Sequence, residues 1–169
     1  MSVVQALRSH SRSLHDRVDA AFGRFDLADR ASYAHCLLAH ARALAAAEAV
    51  LAADAALPAW RPRLPLLAAD LHALGEALPD PLLFALPNTP ARLGLLYVTE
   101  GSRLGGVMLA RSVPAELPGA YLGARHLPGE WRDLLHHIEA AGAGRESDWL
   151  ARVQEGAEAG FGLYLRAAA

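Results

Sequence analysis

Three glycines stand in the middle of a stretch whose apolar residues otherwise specify a buried helix. "LYVTEGSRLGGVMLARSV", Leu96 to Val113, carries Gly101, Gly105 and Gly106. An interior glycine costs a helix roughly 0.8–1 kcal/mol against alanine, so the trio gives up about 2–3 kcal/mol, a noticeable part of the stability of a small domain. Such residues make physical sense where another group must come too close to the backbone for a Cβ, or where the helix must bend. Whatever this chain folds into has to bring something up to that segment.

Apolar spacings of three and four residues dominate the remainder, and no stretch alternates persistently as a half-buried strand would. The pattern predicts an all-α single domain over residues 1–169. A first helix runs from Val3 to about Ala21, with Leu7, Leu14, Val18 and Phe22 inward and Gly23 at its end. Asp29 caps a long second helix through Tyr33, Leu37, Leu44 and Leu51 that stops before Pro58. A third is expected over Leu64–Leu78, ended by Pro79 and Pro81. In "NTPARLG", Thr89 is the expected cap and Pro90 lies in the first turn of the glycine-bearing helix, which lasts to about Val113. Six prolines and glycines between Pro114 and Gly129 make that segment mostly loop. Helices near Glu130–Ala141 and Ser147–Arg166 close the chain.

Hydrophobic residues make up 53% and charged residues 20% of the sequence, a globular balance that excludes a disordered chain. With a formal net charge of −2 the surface offers nucleic acid no general attraction. The longest apolar candidate, Leu37 to Leu57, is interrupted by Arg42, Glu48 and Asp54, which suits a soluble helix rather than a bilayer span. The N-terminus lacks the pattern of a signal peptide. The single cysteine, Cys36, lies in an apolar helical stretch and reads as a small core residue. These features together predict a cytoplasmic protein.

The chemistry-bearing pattern is in the first helix, "LRSHSRSLHDRVD". Arg8, Arg12, His15 and Asp19 follow one another at intervals of four, three and four, so all project from one face. An imidazole ligates a metal through one nitrogen while the other donates its proton to a carboxylate, which fixes the tautomer and raises the ligand's basicity. Asp19, one turn beyond His15, is placed to take that proton. Arg12 and Arg8, one and two turns before, suit carboxylates on the same ligand. Iron below a flat macrocycle with propionates at its edge satisfies every member of the row. A second helix crossing the other face would then need the bare backbone of Gly101, Gly105 and Gly106 to leave a small gap for a diatomic gas.

"RSHSRSLHDRVD" together with "LYVTEGSRLGGVMLARSV", and more weakly "AYLGARHLPGEWRDLL" and "GAEAGFGLYLRA", resembles the heme oxygenases, in particular the bacterial biliverdin-producing kind found with bacterial phytochromes. The resemblance covers most of the chain from Leu7 onward. It implies a helical bundle with heme b, both substrate and cofactor, between a proximal helix and a kinked distal helix. It also implies cleavage to biliverdin, carbon monoxide and ferrous iron with oxygen and external electrons. By this resemblance His15 is the iron ligand, Asp19 its partner, Arg8 and Arg12 face the propionates, the stretch from Gly101 to Gly106 is the distal segment, and Arg132 reaches the heme edge. No electron-donor domain is present, so a ferredoxin or flavoprotein reductase is implied, and a bacterial phytochrome is an implied acceptor of the product. Animal members carry an aspartate just after the first glycine of the motif, where this chain has Ser102. A hydroxyl holds water but carries no charge, which moves the expected proton path to a different network, with Arg103 as a candidate.

Two other outcomes stay open on the same sequence: a heme carrier or sensor that does not degrade its ligand, and a retained fold without heme, as in thiaminase-like relatives. The three glycines would equally serve close helix packing. His35 and His40, five apart, and the adjacent His136 and His137 lack the same-face spacing of a helical metal site. Trp60, Trp131 and Trp149 read as core or interface aromatics, and Tyr97 as a structural hydrogen-bonding residue near the pocket. "GSRLGG" lacks the lysine and spacing of a phosphate loop.

Overall fold

The computed structural model describes all 169 residues, and every regular element in it is helical. In order these are α1 (Val3–Phe22), α2 (Arg30–Ala52), α3 (Leu64–Ala73), α4 (Thr89–Leu109, extended by one 3-10 turn at Ala110–Ser112), α5 (Glu130–Gly142) and α6 (Ser147–Ala168). The all-α expectation is met. Local chemistry explains the helix starts: Ser2 and Gln5 form a capping box on α1, and the Asp29 carboxylate accepts the Ser32 N–H at the head of α2.

Two boundaries differ from the sequence pattern. α3 ends at Ala73 rather than Leu78, because Gly75 takes a left-handed φ of 85° and the N–H of Glu76 turns back to the Leu71 carbonyl. That is a Schellman ending, which releases the chain into the irregular segment before α4. Asn88, not Thr89, caps α4: its Oδ1 accepts the Ala91 N–H at 2.9 Å, and Pro90 sits one residue deeper in the first turn.

α6 is the organising element. It packs most extensively on α4 and also on α1 and α2, whereas α1 and α4 scarcely meet each other. The α4–α6 crossing is a backbone-to-backbone contact. A β-carbon on Gly94 would lie 1.9 Å from the Val153 carbonyl oxygen, and one on Gly156 would lie 1.8 Å from that of Ala91. Only glycine fits at either position. A small apolar group of Leu7, Val98, Val153, Ala157 and Phe161 fills the junction of α1, α4 and α6, while the main core lies around α2. By length and composition α2 would span a membrane, yet most of its apolar surface is buried in the bundle, as expected of a central core helix. Cys36 is buried in that helix, and burial pushes its thiol up to about 12.

Candidate functional site

The row on α1 forms as the helical spacing requires. Arg8, Arg12, His15 and Asp19 are all exposed on one face. Nδ1 of His15 stands 3.3 Å from Oδ2 of Asp19 and 3.9 Å from Oδ1 of Asp16, which leaves Nε2 as the outward nitrogen. The imidazole is 61% exposed, and its inner edge rests on Phe161 with ring centroids 6.2 Å apart. Phe161 belongs to the same apolar junction as Val98 of α4, so a short hydrophobic floor connects the histidine to the glycine helix.

α4 continues as an α-helix through all three glycines, but they do not share one environment. Gly106 serves packing: a β-carbon there would sit 3.1 Å from the Leu122 carbonyl oxygen. At Gly101 it would meet the edge of Trp131 at 3.4 Å, an ordinary van der Waals distance, and at Gly105 it would meet nothing. The residues around Gly105 carry a second observation. Leu104, Met108 and Leu109 are 50%, 59% and 42% exposed and fall with Gly101 and Gly105 at helical spacings of three and four. A helix already buried on one side thus offers solvent a second apolar stripe whose centre has no side chains. Such a surface matches a flat apolar ligand laid against it.

Flanking this face lies a polar cluster that the sequence pattern did not reveal. The Arg63 guanidinium is 3% exposed and donates from Nη2 to Ser102 Oγ and to the Thr99 carbonyl, both at 2.6 Å. Ser102 also donates to Thr99 O at 2.7 Å. Glu48, whose burial raises its pKa, accepts the backbone N–H groups of Arg63 and Leu64 and fixes the start of α3. Arg103 lies in the interior rather than on the glycine face. It pairs with Glu100 at 2.9 Å and donates to the Arg61 carbonyl, because its register puts it opposite the bare stripe. Arg132 is exposed at the start of α5 and pairs with its neighbour Asp133 at 3.1 Å.

His126 stacks on Trp131 beside Gly101. His35, His136 and His137 are exposed. The half-buried His40 hydrogen-bonds Tyr121 at 2.8 Å within the core. Tyr97 packs against Trp131 with ring planes tilted by 33°.

The donor set fits heme. One imidazole has a carboxylate at its inner nitrogen, exposed arginines lie on the same helix face, and an apolar stripe with a bare centre lies across the hydrophobic floor.

No family model matches the chain. A heme oxygenase from Xanthomonas campestris pv. campestris (strain 8004) is 36% identical over 96 residues, or 54% of this chain. The match spans 58% of that relative's length. Among solved structures, the NO- and CO-bound heme oxygenase of Neisseria meningitidis superposes with a TM-score of 0.81, covering 99% of this chain and 90% of that one at 23% identity. With nearly the whole length of both chains in register, the architecture of this protein is the heme oxygenase fold.

Proposed function

We propose that this protein is a heme oxygenase that takes heme b as substrate and cofactor and opens it to biliverdin, carbon monoxide and ferrous iron. Oxygen and electrons from a separate ferredoxin or flavoprotein reductase drive the reaction. The observation that carries this reading is the pairing of the His15–Asp19 unit on α1 with the bare, exposed apolar stripe on α4, on a fold shared with a heme oxygenase.

In this reading Nε2 of His15 holds the iron, while Asp19 fixes the tautomer from Nδ1. Arg8 and Arg12 pair with the propionates, and Arg132 approaches the ring edge from α5. Gly105 admits the macrocycle to the helix backbone, Gly101 accommodates the Trp131 edge beside it, and Gly106 seats the helix on the Leu122 loop. When bound, heme supplies the iron at which external electrons reduce oxygen and the ring that is opened. The Ser102 hydroxyl, polarised by the Arg63 guanidinium, holds a water or passes a proton at Oγ, and Arg103, paired with Glu100, braces the Arg61 backbone two residues before Arg63. The protein works in the cytoplasm, where a bacterial phytochrome is a suitable consumer of the pigment.

Hemin titration tests the reading. A sharp Soret band is expected for the native protein and is expected to be lost in His15→Ala; reductant and oxygen should convert it to a biliverdin spectrum. An uncharged Ser102 in place of the distal carboxylate favours a second reading, a carrier that binds heme without opening it. A stable Soret band under turnover conditions would establish the carrier. Absence of hemin binding by the native protein would remove both.

A further inference from the structure

The bare segment of α4 is walled at one end and open at the other. Gly101 faces the edge of Trp131, whereas the space beside Gly105 is clear. The wall is held firmly. Gly129, with a φ of 84°, turns the chain into α5, and Glu130 accepts from Arg61 Nε at 2.6 Å, from Arg61 Nη2 at 2.9 Å and from the Leu127 N–H at 2.7 Å. Trp131, the next residue, packs against two other rings. Tyr97 is 5.6 Å from it with planes tilted by 33°, and His126 is stacked on it at 5.6 Å with planes at 26°.

The His126 ring is an unusual spacer. Its side chain is 9% exposed and neither ring nitrogen has a hydrogen-bond partner. Nε2 is 3.5 Å from Glu100 Oε2, an oxygen already engaged by Arg103. Burial holds the imidazole below its usual pKa, so near neutral pH it backs the indole as an uncharged ring. Three mutually packed rings from α4, the loop before α5 and α5 itself, with Trp131 touching both of the others, therefore fix one indole edge beside the first glycine.

We propose that Trp131 is a specificity-determining stop: it sets how far a flat macrocycle slides along α4 and thereby which edge of the ring is presented for opening. The inference rests on the heme oxygenase reading and goes beyond it by assigning the in-plane seating of the ligand to a single side chain. A shorter ring at this position lets the macrocycle move toward Gly101, and loss of the ring removes the stop. Contacts of this size shift a choice between competing positions by roughly tenfold or more.

The test uses full-length native protein, Trp131→Phe and Trp131→Ala, each loaded with hemin. The pattern of heme-methyl proton resonances in the ferric complexes reports in-plane seating without turnover. Chromatography of the biliverdin isomers formed with reductant and oxygen reports the edge opened. Both are expected to change, with a shift of roughly tenfold or more in isomer ratio for Trp131→Ala and a smaller one for Trp131→Phe. Unchanged resonances and isomer ratios in variants that bind hemin would overturn the proposal. If Trp131→Ala fails to fold by circular dichroism, Trp131→Phe decides the matter, since it keeps the stack and loses only the outer ring. Native protein that does not bind hemin sinks the functional reading itself, whereas failure confined to the variants sinks only the stop.

Discussion

Arg63 and Ser102 are joined at 2.6 Å along the flank of the glycine helix, although 39 residues separate them in sequence. A hydroxyl that accepts from a buried guanidinium is a different chemical object from an exposed serine, because the charge behind it polarises the O–H that it turns toward Thr99. Ser102→Ala leaves that guanidinium with one acceptor fewer, at a cost of about 1–3 kcal/mol in stability. His15 and the apolar stripe are untouched by the change. Hemin affinity is therefore expected to stay within a few-fold while turnover falls, measured by Soret titration beside single-turnover conversion.

Asp19→Asn keeps the shape of the His15 partner and removes its charge. The imidazole then loses the group that makes it a stronger donor, and hemin affinity should drop by roughly 10–100-fold. Both side chains are largely exposed, so thermal stability should hardly change. A parallel loss of melting temperature would show that Asp19 is structural instead.

Gly105→Ala and Gly94→Ala should have opposite effects on stability. Open space surrounds Gly105, and alanine there should stabilise the helix by about 1 kcal/mol while placing a methyl group on the face proposed for the macrocycle. Gly94→Ala drives a methyl group into the Val153 carbonyl and should destabilise by about 3 kcal/mol or more, beyond what the helix gains. Urea unfolding of both, with hemin titration of the first, distinguishes a glycine that serves a ligand from one that serves packing.

The response to acid should begin near the ordinary imidazole pKa rather than in the carboxylate range. Burial, with Arg63 nearby, pushes His40 from 6.5 down to about 3. Between those values the unfolded chain binds a proton that the folded chain refuses, so stability is complete above about pH 6.5 and declines as pH falls through that window. His126, also lowered by burial, acts in the same direction. Glu130, held down to about 2 chiefly by its hydrogen bond from Arg61, contributes a loss only as pH falls from its ordinary value of 4.5 toward about 2. Urea midpoints measured between about pH 7 and pH 5 should fall in the native protein and fall less in His40→Gln. Equal slopes would refute the assignment.

The face-sharing of Arg8, Arg12, His15 and Asp19 could be read directly because it depends only on helical period. The end of α3 could not. Apolar spacing continues past Ala73 through Leu74 and Leu78, and nothing in that pattern shows that Gly75 adopts a left-handed turn. Asn88 and Thr89 are adjacent capping residues, and only the hydrogen bond to Ala91 separates them. Arg63 sits in "AWRPRLP", where no period marks an inward side. Its partners come from α2 and α4, so its importance is a property of the assembled bundle. The close approach that excludes a Cβ falls at other glycines than the three in the central motif. Gly94 and Gly156 require glycine because of contacts 59 and 65 residues away in sequence, with Val153 and Ala91, which no local window contains.

The crossing at Gly94 and Gly156 acts as a fulcrum. It clamps the first half of α4 to α6 backbone against backbone, whereas the second half is held on one side only, by Arg103 and by Gly106 on the Leu122 loop, and its Leu104–Gly105–Met108 face is open. Breathing of Gly105 and its neighbours can then proceed without loosening the tightest joint in the molecule. Amide exchange is expected to divide accordingly, slow at Leu95 and Leu96 and fast from Leu104 to Leu109, within one unbroken helix.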